Sequence, residues 1–229
     1  MEEESSRLEA VYGGYARSAR RRSAWDRDHP GNRAMRAELC ERLLAGAASQ
    51  LERGAEVLDI GCGGGYWLRE LAAAGVAPGR LHGVDLIPSR VAAASSMPEA
   101  DLRLADARRL PFEDCSFGLA LMLTALSSMP DRTAARVAAT EAVRVLEPGG
   151  LLLVYEPMLP SPLNRSRLTV KPAQLAQWCA PGATTRSVER LTVAPPLARG
   201  AARLSGRSYG LLARVPPLLT HRLTLLEAR

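Results

Sequence analysis

The sequence predicts an α/β fold, an open and mostly parallel sheet with helices on both faces. Three observations predict it. An apolar strand runs into a glycine turn at Val57-Leu58-Asp59-Ile60-Gly61-Cys62-Gly63-Gly64-Gly65. Apolar runs of strand length then alternate with helical segments as far as Tyr155. Asp59, Asp85, Asp106, Thr124 and Glu156 fall at or just past the strand ends. Regular alternation implies parallel strands joined by helical crossovers. In such a sheet, ligands bind at the carboxyl ends of the strands, where the strand order reverses.

The elements follow in chain order. Residues 1–52 read as helical, with a break at Asp28-His29-Pro30-Gly31; Ala34 to Leu44 places Leu39, Leu43 and Leu44 on one face. Glu56–Ile60 is the first strand, and Tyr66–Ala74 a helix that Gly75 ends. Leu81–Asp85 is a strand, Ser89–Ser96 a helix and Leu102–Ala105 a short strand. Phe117–Thr124 is the fourth strand. Thr133–Leu146 is a helix closed by Glu147-Pro148-Gly149-Gly150, and Leu151–Tyr155 the fifth strand. The remainder reads as a helix at Lys171–Trp178, a strand at Arg186–Val193, a helix at Ala198–Arg214 and a last strand at Arg222–Glu227.

At 229 residues the chain is long enough to bury a core and is expected to form one domain, 1–229. Within it, residues 1–52 are the expected lid or acceptor segment and 53–229 the ligand-binding core. No apolar run approaches the ~18 residues that cross a bilayer, and Met1-Glu2-Glu3-Glu4 lacks a signal-peptide layout. The expectation is a cytoplasmic protein with no membrane partner. Cys40, Cys62, Cys115 and Cys179 form no C-x-x-C pair, so neither a zinc site nor a disulfide framework is expected, and no metal.

The net charge of +6 raises the question of nucleic acid. The basic residues are scattered, however, and Lys171 is the one lysine among 30. Abundant Arg, Ala, Gly and Pro match the coding bias of a GC-rich, actinobacterial-type genome. Arg17, Arg20, Arg21 and Arg22 form the one dense cluster, which reads as a solvated helix face or as a patch for an anionic group.

The glycine turn narrows the ligand. Glycines at 61, 63 and 65 let the backbone turn sharply and approach a ligand closely. Asp59 puts a negative charge beside that gap, which repels pyrophosphate and attracts a cation. The dinucleotide fingerprint G-x-G-x-x-G fails in both frames, because its last glycine falls on Tyr66 or Leu68. Asp85 still stands at the end of the second strand, where an acid accepts from ribose hydroxyls. A nucleoside without phosphates, carrying an amino group and a positive centre, satisfies both facts. S-adenosylmethionine is such a molecule.

On the segments VLDIGCGGG (57–65), HGVDL (82–86), ADARRLPFEDCSF (105–117) and RVLEPGGLLLVYE (144–156), the chain resembles the class I S-adenosylmethionine-dependent methyltransferases, in the branch called type 11. The resemblance is strong from Ala55 to Glu156 and weak in the tail. It implies a Rossmann-like fold with a central seven-stranded sheet and an antiparallel C-terminal strand. It also implies roles for individual residues. Asp59 and the Gly61-Cys62-Gly63 backbone would face the methionine part of the cofactor. Asp85 would hold the ribose hydroxyls, with Leu86 beside the adenine. Asp106 would accept from the adenine amino group, next to Ala107. Leu123 and Thr124 would lie beneath the sulfonium. Tyr12, Tyr15 and Trp25 would belong to a lid, Tyr15 touching the cofactor.

Relatives in this family often carry a histidine after the fourth strand, but here the matching run is Leu126-Ser127-Ser128-Met129. His82 opens the second strand at the end away from the cleft and reads as structural, as does His221. Glu156 and His29 are the candidate catalytic groups on the acceptor side; an acceptor whose lone pair is already free needs neither. The proline-stiffened run 157–164 is a candidate specificity loop, with Asn164 or Arg165 touching the acceptor. The expected function is methyl transfer from S-adenosylmethionine to a small-molecule hydroxyl in secondary metabolism, giving S-adenosylhomocysteine. N-methylation, methylation of a peptide or RNA, and a non-catalytic binding role are the alternatives. Nucleic acid is disfavoured as a partner because no RNA-binding module is visible, and a homodimer stays open.

Overall fold

The computed structural model describes residues 2–17, 26–94, 97–160, 167–204 and 208–229, with the side chains of residues 2, 3, 11, 12, 14–17 and 204 outside that description. The chain divides into two compact units: residues 44–189 with 222–229, and residues 1–43 with 190–221. The helices are α1 (Glu2–Arg17), α2 (Pro30–Glu52), α3 (Tyr66–Ala73), α4 (Pro88–Ala94), α5 (Arg132–Arg144), α6 (Pro172–Cys179), α7 (Pro195–Leu204) and α8 (Ser208–Leu212). The strands are β1 (Val57–Ile60), β2 (Leu81–Asp85), β3 (Asp101–Leu104), β4 (Phe117–Leu123), β5 (Leu146–Pro157), β6 (Ala183–Val193) and β7 (Leu219–Ala228).

The seven strands form one sheet in the order β3-β2-β1-β4-β5-β7-β6. The pairs β1–β2, β1–β4, β2–β3 and β4–β5 are parallel. β7 runs antiparallel to β6: Ala194 N–H donates to Leu218 O, while Arg229 N–H donates to Gly182 O at the other end of the pair. The strand order reverses at β1, which lies between β2 and β4. The sheet is therefore the mixed, Rossmann-like one that was expected, and its switch point lies beside the glycine turn.

In the larger unit, β1 is buried at every position. Its residues Leu58 and Ile60 join Val84, Ala120, Met122, Leu152 and Val154 in one apolar cluster. Each fully buried leucine of that kind contributes about 1.5–3 kcal/mol. α5 presents alanines at 134, 135, 138, 139 and 142 to the interior. Small side chains on that face let the helix approach the sheet closely. Asp131 caps α5 by accepting from Ala134 N–H at 2.8 Å. Gly118 is small for a packing reason, since a Cβ there would lie 2.6 Å from Ala55 Cβ.

Several boundaries differ from the sequence expectation. α5 stops at Arg144 and β5 begins at Leu146. The Glu147-Pro148-Gly149-Gly150 run is an irregularity within β5, where Phe117 pairs with Leu146 and Leu119 with Leu151. Gly149, at φ 79°, supplies the turn that was read as a helix stop. The expected helix at Ala198–Arg214 is two shorter ones, α7 and α8.

The smaller unit has its own apolar cluster, Val193, Ala198, Tyr209 and Leu219, against which Ala34 and Met35 pack. A Cβ on Gly31 would lie 2.6 Å from Ala198 O, so α2 begins in direct backbone contact with α7. Glu38 Oε2 accepts from Thr192 N–H at 2.9 Å and from Tyr209 OH at 2.7 Å, joining α2, β6 and α8.

Candidate functional site

The ends of β1, β2 and β4, with the turns that follow them, build the site within the larger unit. Asp59 is the penultimate residue of β1 and is 1% exposed. Its Oδ2 is buried and has no hydrogen-bond partner among the described residues. Burial, and then the charge of Asp85, push its carboxyl up to about 7. A carboxylate held this way is costly unless a donor or a cation meets it.

The glycine turn follows. Gly61, Gly63 and Gly65 take φ values of 83°, 53° and 72°, in the left-handed region that only glycine enters without cost. Gly61 N–H and Cys62 N–H both donate to Val84 O, at 2.8 and 3.0 Å, and tie the turn to the end of β2. A Cβ on Gly61 would come within 3.2 Å of Ala125 Cβ, which sets the β1 and β4 turns side by side. At Gly63 the nearest atom to such a Cβ is Arg90 Nη1 at 3.9 Å. The backbone there is bare and open on that side.

Asp85 faces the same turn. Its Oδ2 accepts from Gly63 N–H at 2.9 Å and its Oδ1 from Ile87 N–H at 2.9 Å. Arg90 Nη1 lies 3.9 Å from Oδ2. A carboxylate offers about four acceptor positions, so both oxygens keep capacity for hydroxyl donors. Asp59 and Asp85 together make the site anionic.

The third wall is the turn after β4. Thr124 has φ 62°, an outlier for a β-branched residue. Its N–H donates to Tyr155 O at 2.8 Å, and its carbonyl accepts from Ser128 Oγ at 2.9 Å and Ser127 Oγ at 3.3 Å. Glu156, buried at the end of β5, accepts from Leu126 N–H at 2.8 Å and Ser127 N–H at 3.2 Å. Burial pushes the Glu156 carboxyl up to about 7, against the pull of those hydrogen bonds and of the Arg167 charge. Both oxygens are thus engaged in fixing the 124–128 turn.

Asp59, Gly61, Gly63, Asp85, Leu123 and Thr124 come together at the ends of three neighbouring strands, as their spacing suggested. Leu86 is half-buried just past β2. Asp106 and Ala107 follow β3, anchored where Ala105 N–H donates to Asp85 O at 3.0 Å. The Asp106 carboxylate is paired with Arg108, Nη2 to Oδ2 at 2.6 Å and the backbone N–H to Oδ1 at 2.9 Å. Burial raises its pKa and Arg108 lowers it, with a net shift downward. Cys62 lends its backbone to the turn, and its thiol donates to Gly63 O at 3.7 Å. Its thiol is buried against Gly83, and burial pushes it far above the usual thiol range.

His29 lies in the smaller unit at the start of α2, and its Nδ1 accepts from Gly31 N–H at 3.1 Å. That bond places its proton on Nε2. The backbones of Tyr12 and Tyr15 belong to α1, but their side chains, that of Arg17, and Arg20, Arg21, Arg22, Trp25, Asn164 and Arg165 lie outside the described residues. His82 is structural as expected, with Nε2 2.7 Å from Glu56 Oε2 and Nδ1 3.3 Å from Asp101 Oδ2. His221 neighbours Thr220 Oγ1 at 3.1 Å. Among the described residues no cluster of His, Cys, Asp and Glu is arranged for a metal. Sequence reasoning missed the left-handed Thr124, the Arg108 partner of Asp106 and the hold of Glu156 on the turn. The Ser127-Ser128 pair after β4 was the available signal for a tight turn there.

Residues 57–150 match a family model described as a methyltransferase domain. The demethylmenaquinone methyltransferase of Lactiplantibacillus plantarum is 35% identical over 121 residues, 50% of this chain and 50% of that protein. That of Staphylococcus aureus is 33% identical over 115 residues, 48% of this chain and 46% of that protein. The chain spans about half the length of these relatives. Among solved structures, the N-methyltransferase NodS from Bradyrhizobium japonicum, in complex with S-adenosyl-L-homocysteine, superposes with a TM-score of 0.62 at 18% identity. The overlap covers 89% of this chain and 91% of that one, a likeness of fold.

Proposed function

We propose that the chain, whose residues 57–150 match a methyltransferase-domain family model, transfers a methyl group from S-adenosylmethionine to a small-molecule hydroxyl. The observation that carries this reading is the buried, unpartnered Oδ2 of Asp59 beside Asp85, at a glycine turn open to a ligand. Two carboxylates at the ends of adjacent strands fit a ligand that brings a cation and hydroxyl donors, and they disfavour a pyrophosphate.

In this reading Asp59 meets the amino group of the cofactor, and the Gly61–Gly63 backbone lines its methionine part. Asp85 holds the ribose hydroxyls, while Leu86, Asp106 and Ala107 flank the adenine; Leu123 and Thr124 complete the contacts. When bound, S-adenosylmethionine supplies a methyl group made electrophilic by the adjacent sulfonium. The chain's own task is alignment and exclusion of water, for which orientation is worth about 7–11 kcal/mol in favourable cases.

Glu156 and His29 were the candidate bases. Glu156 gives both oxygens to backbone donors, and His29 gives its Nδ1 lone pair to Gly31. These bonds favour positioning roles for both, and an acidic hydroxyl that reaches the site already ionised. The relatives named for demethylmenaquinone act on a small molecule by name. The test is calorimetry of the purified chain. S-adenosylmethionine and S-adenosylhomocysteine are expected to bind, and Asp85→Ala is expected to weaken both by more than about tenfold, the loss of hydrogen bonds to a charged group. Binding of NAD instead, or unchanged affinity in Asp85→Ala, refutes the reading.

A further inference from the structure

The segment from Arg190 to Leu226 contains no Asp or Glu, although the chain carries 24. Six arginines lie in it: Arg190, Arg199, Arg203, Arg207, Arg214 and Arg222. The same segment holds three of the large apolar side chains that stand exposed: Leu197 at 47%, Leu211 at 65% and Val215 at 42%. These facts coincide on α7, α8 and the turn that follows α8.

Both helices are two-sided. Ala198 on α7 and Tyr209 on α8 are buried in the small apolar cluster. α7 also exposes Leu197 and Arg203. After α8 the helical bonding continues, Arg214 N–H to Leu211 O and Val215 N–H to Leu212 O. Leu211, Arg214 and Val215 therefore lie on one exposed face, three and four residues apart. Pro216 and Pro217 extend it and are exposed as well. Exposed apolar tips alternating with guanidinium groups, in a segment without acid, complement an anionic, partly apolar plane.

We propose that this α7–α8 face docks on the surface of an anionic lipid bilayer. The leucines and Val215 enter the headgroup boundary, and Arg203 and Arg214 pair with lipid phosphates. No helix among the described residues is long and apolar enough to cross a membrane, and the contact proposed is with the bilayer surface. This departs from the expectation of no membrane partner, which rested on spanning segments alone. A nucleic acid fits the face less well. Tyr209 is the one aromatic residue between Arg190 and Leu226 apart from His221. It is buried with its hydroxyl on Glu38, so it offers no base a stacking platform.

The experiment is flotation of the whole chain with vesicles of phosphatidylcholine alone and of phosphatidylcholine with phosphatidylglycerol, without any methyl donor. The chain is expected to float with the anionic vesicles, to stay behind with the neutral ones, and to be released by high salt. R203E/R214E is expected to weaken binding by more than about tenfold, since each basic group near such a surface adds about fivefold in affinity. L211S, at a side chain that already faces solvent, is expected to weaken it several-fold with an unchanged circular dichroism spectrum. Failure of the wild type to float with anionic vesicles overturns the proposal. So does equal flotation of R203E/R214E, or displacement of the chain from vesicles by RNA that L211S binds as well as the wild type does.

Discussion

Replacing Asp59 by asparagine keeps the shape of the side chain and removes a charge that the apoprotein holds at a cost. Its carboxyl moves from 3.8 to about 7 through burial and the neighbouring Asp85. Below pH 3.8 the group is protonated in both folded and unfolded chains and costs nothing. Between 3.8 and about 7 the unfolded chain ionises while the folded one keeps its proton, so stability falls as the pH rises. Above about 7 the loss is complete. At about 1.4 kcal/mol per pH unit, the penalty is roughly 1–2 kcal/mol at pH 5 and about 4 kcal/mol at pH 8. Asp59→Asn escapes it. The difference in unfolding free energy between variant and wild type should therefore favour the variant more at pH 8 than at pH 5, by about 2–3 kcal/mol. Glu156, also raised by burial, is present in both proteins and cancels in the comparison. Urea titrations at the two pH values, analysed with a common slope, measure the quantity. A stability difference that is the same at pH 5 and pH 8 would falsify the account of Asp59 as a charge held without a partner. The same variant should bind S-adenosylmethionine more weakly, because the site gives up the group that meets the cation.

Two further substitutions probe the turn after β4. Glu156→Gln keeps one acceptor oxygen and puts an amide donor opposite a backbone N–H, so Leu126 or Ser127 loses its partner. Turnover should fall by about tenfold, the value of roughly one such bond, with S-adenosylhomocysteine affinity near wild type and the pH–rate limb unmoved; a limb that shifts with the substitution would mark Glu156 as the base instead. Thr124→Gly should relieve the cost of a left-handed β-branched residue, leaving the fold unchanged or up to about 1 kcal/mol more stable, while a methyl-transfer assay shows reduced turnover. A loss of stability beyond about 1 kcal/mol would show that Thr124 is not strained.

The legibility of the chain was uneven, for physical reasons. The sheet could be read because β1, β2, β4 and the 151–155 part of β5 are mostly apolar and largely buried, and parallel strands leave that mark. The glycine turn could be read because left-handed backbone is cheap only for glycine. Thr124 adopts the same conformation with no mark in its side chain. The Glu147–Gly150 run reads equally well as a helix stop or a strand irregularity, since Pro and Gly punctuate both. The smaller unit was least legible. Its core forms from α2, β6 and α8 through Glu38, Thr192 and Tyr209, residues far apart in sequence whose types announce nothing.

Thr124 and Asp59 bear on each other through the geometry of the switch point. β1 must leave the sheet on one side while β4 leaves beside it, and Ala125 presses within 3.2 Å of where a Gly61 Cβ would stand. Both turns enter the left-handed region, one through glycine and one through threonine. A strained residue persists only where its surroundings over-determine it. Here Tyr155 O, the hydroxyls of Ser127 and Ser128, and the two backbone bonds to Glu156 do so. Those bonds draw on the end of β5, so a buried acid that is itself costly holds the turn that faces a second buried acid, Asp59. The two carboxylates divide the work. Glu156 commits one acceptor position on each oxygen to the turn and fixes the wall, and Asp59 Oδ2 accepts no bond from the described residues.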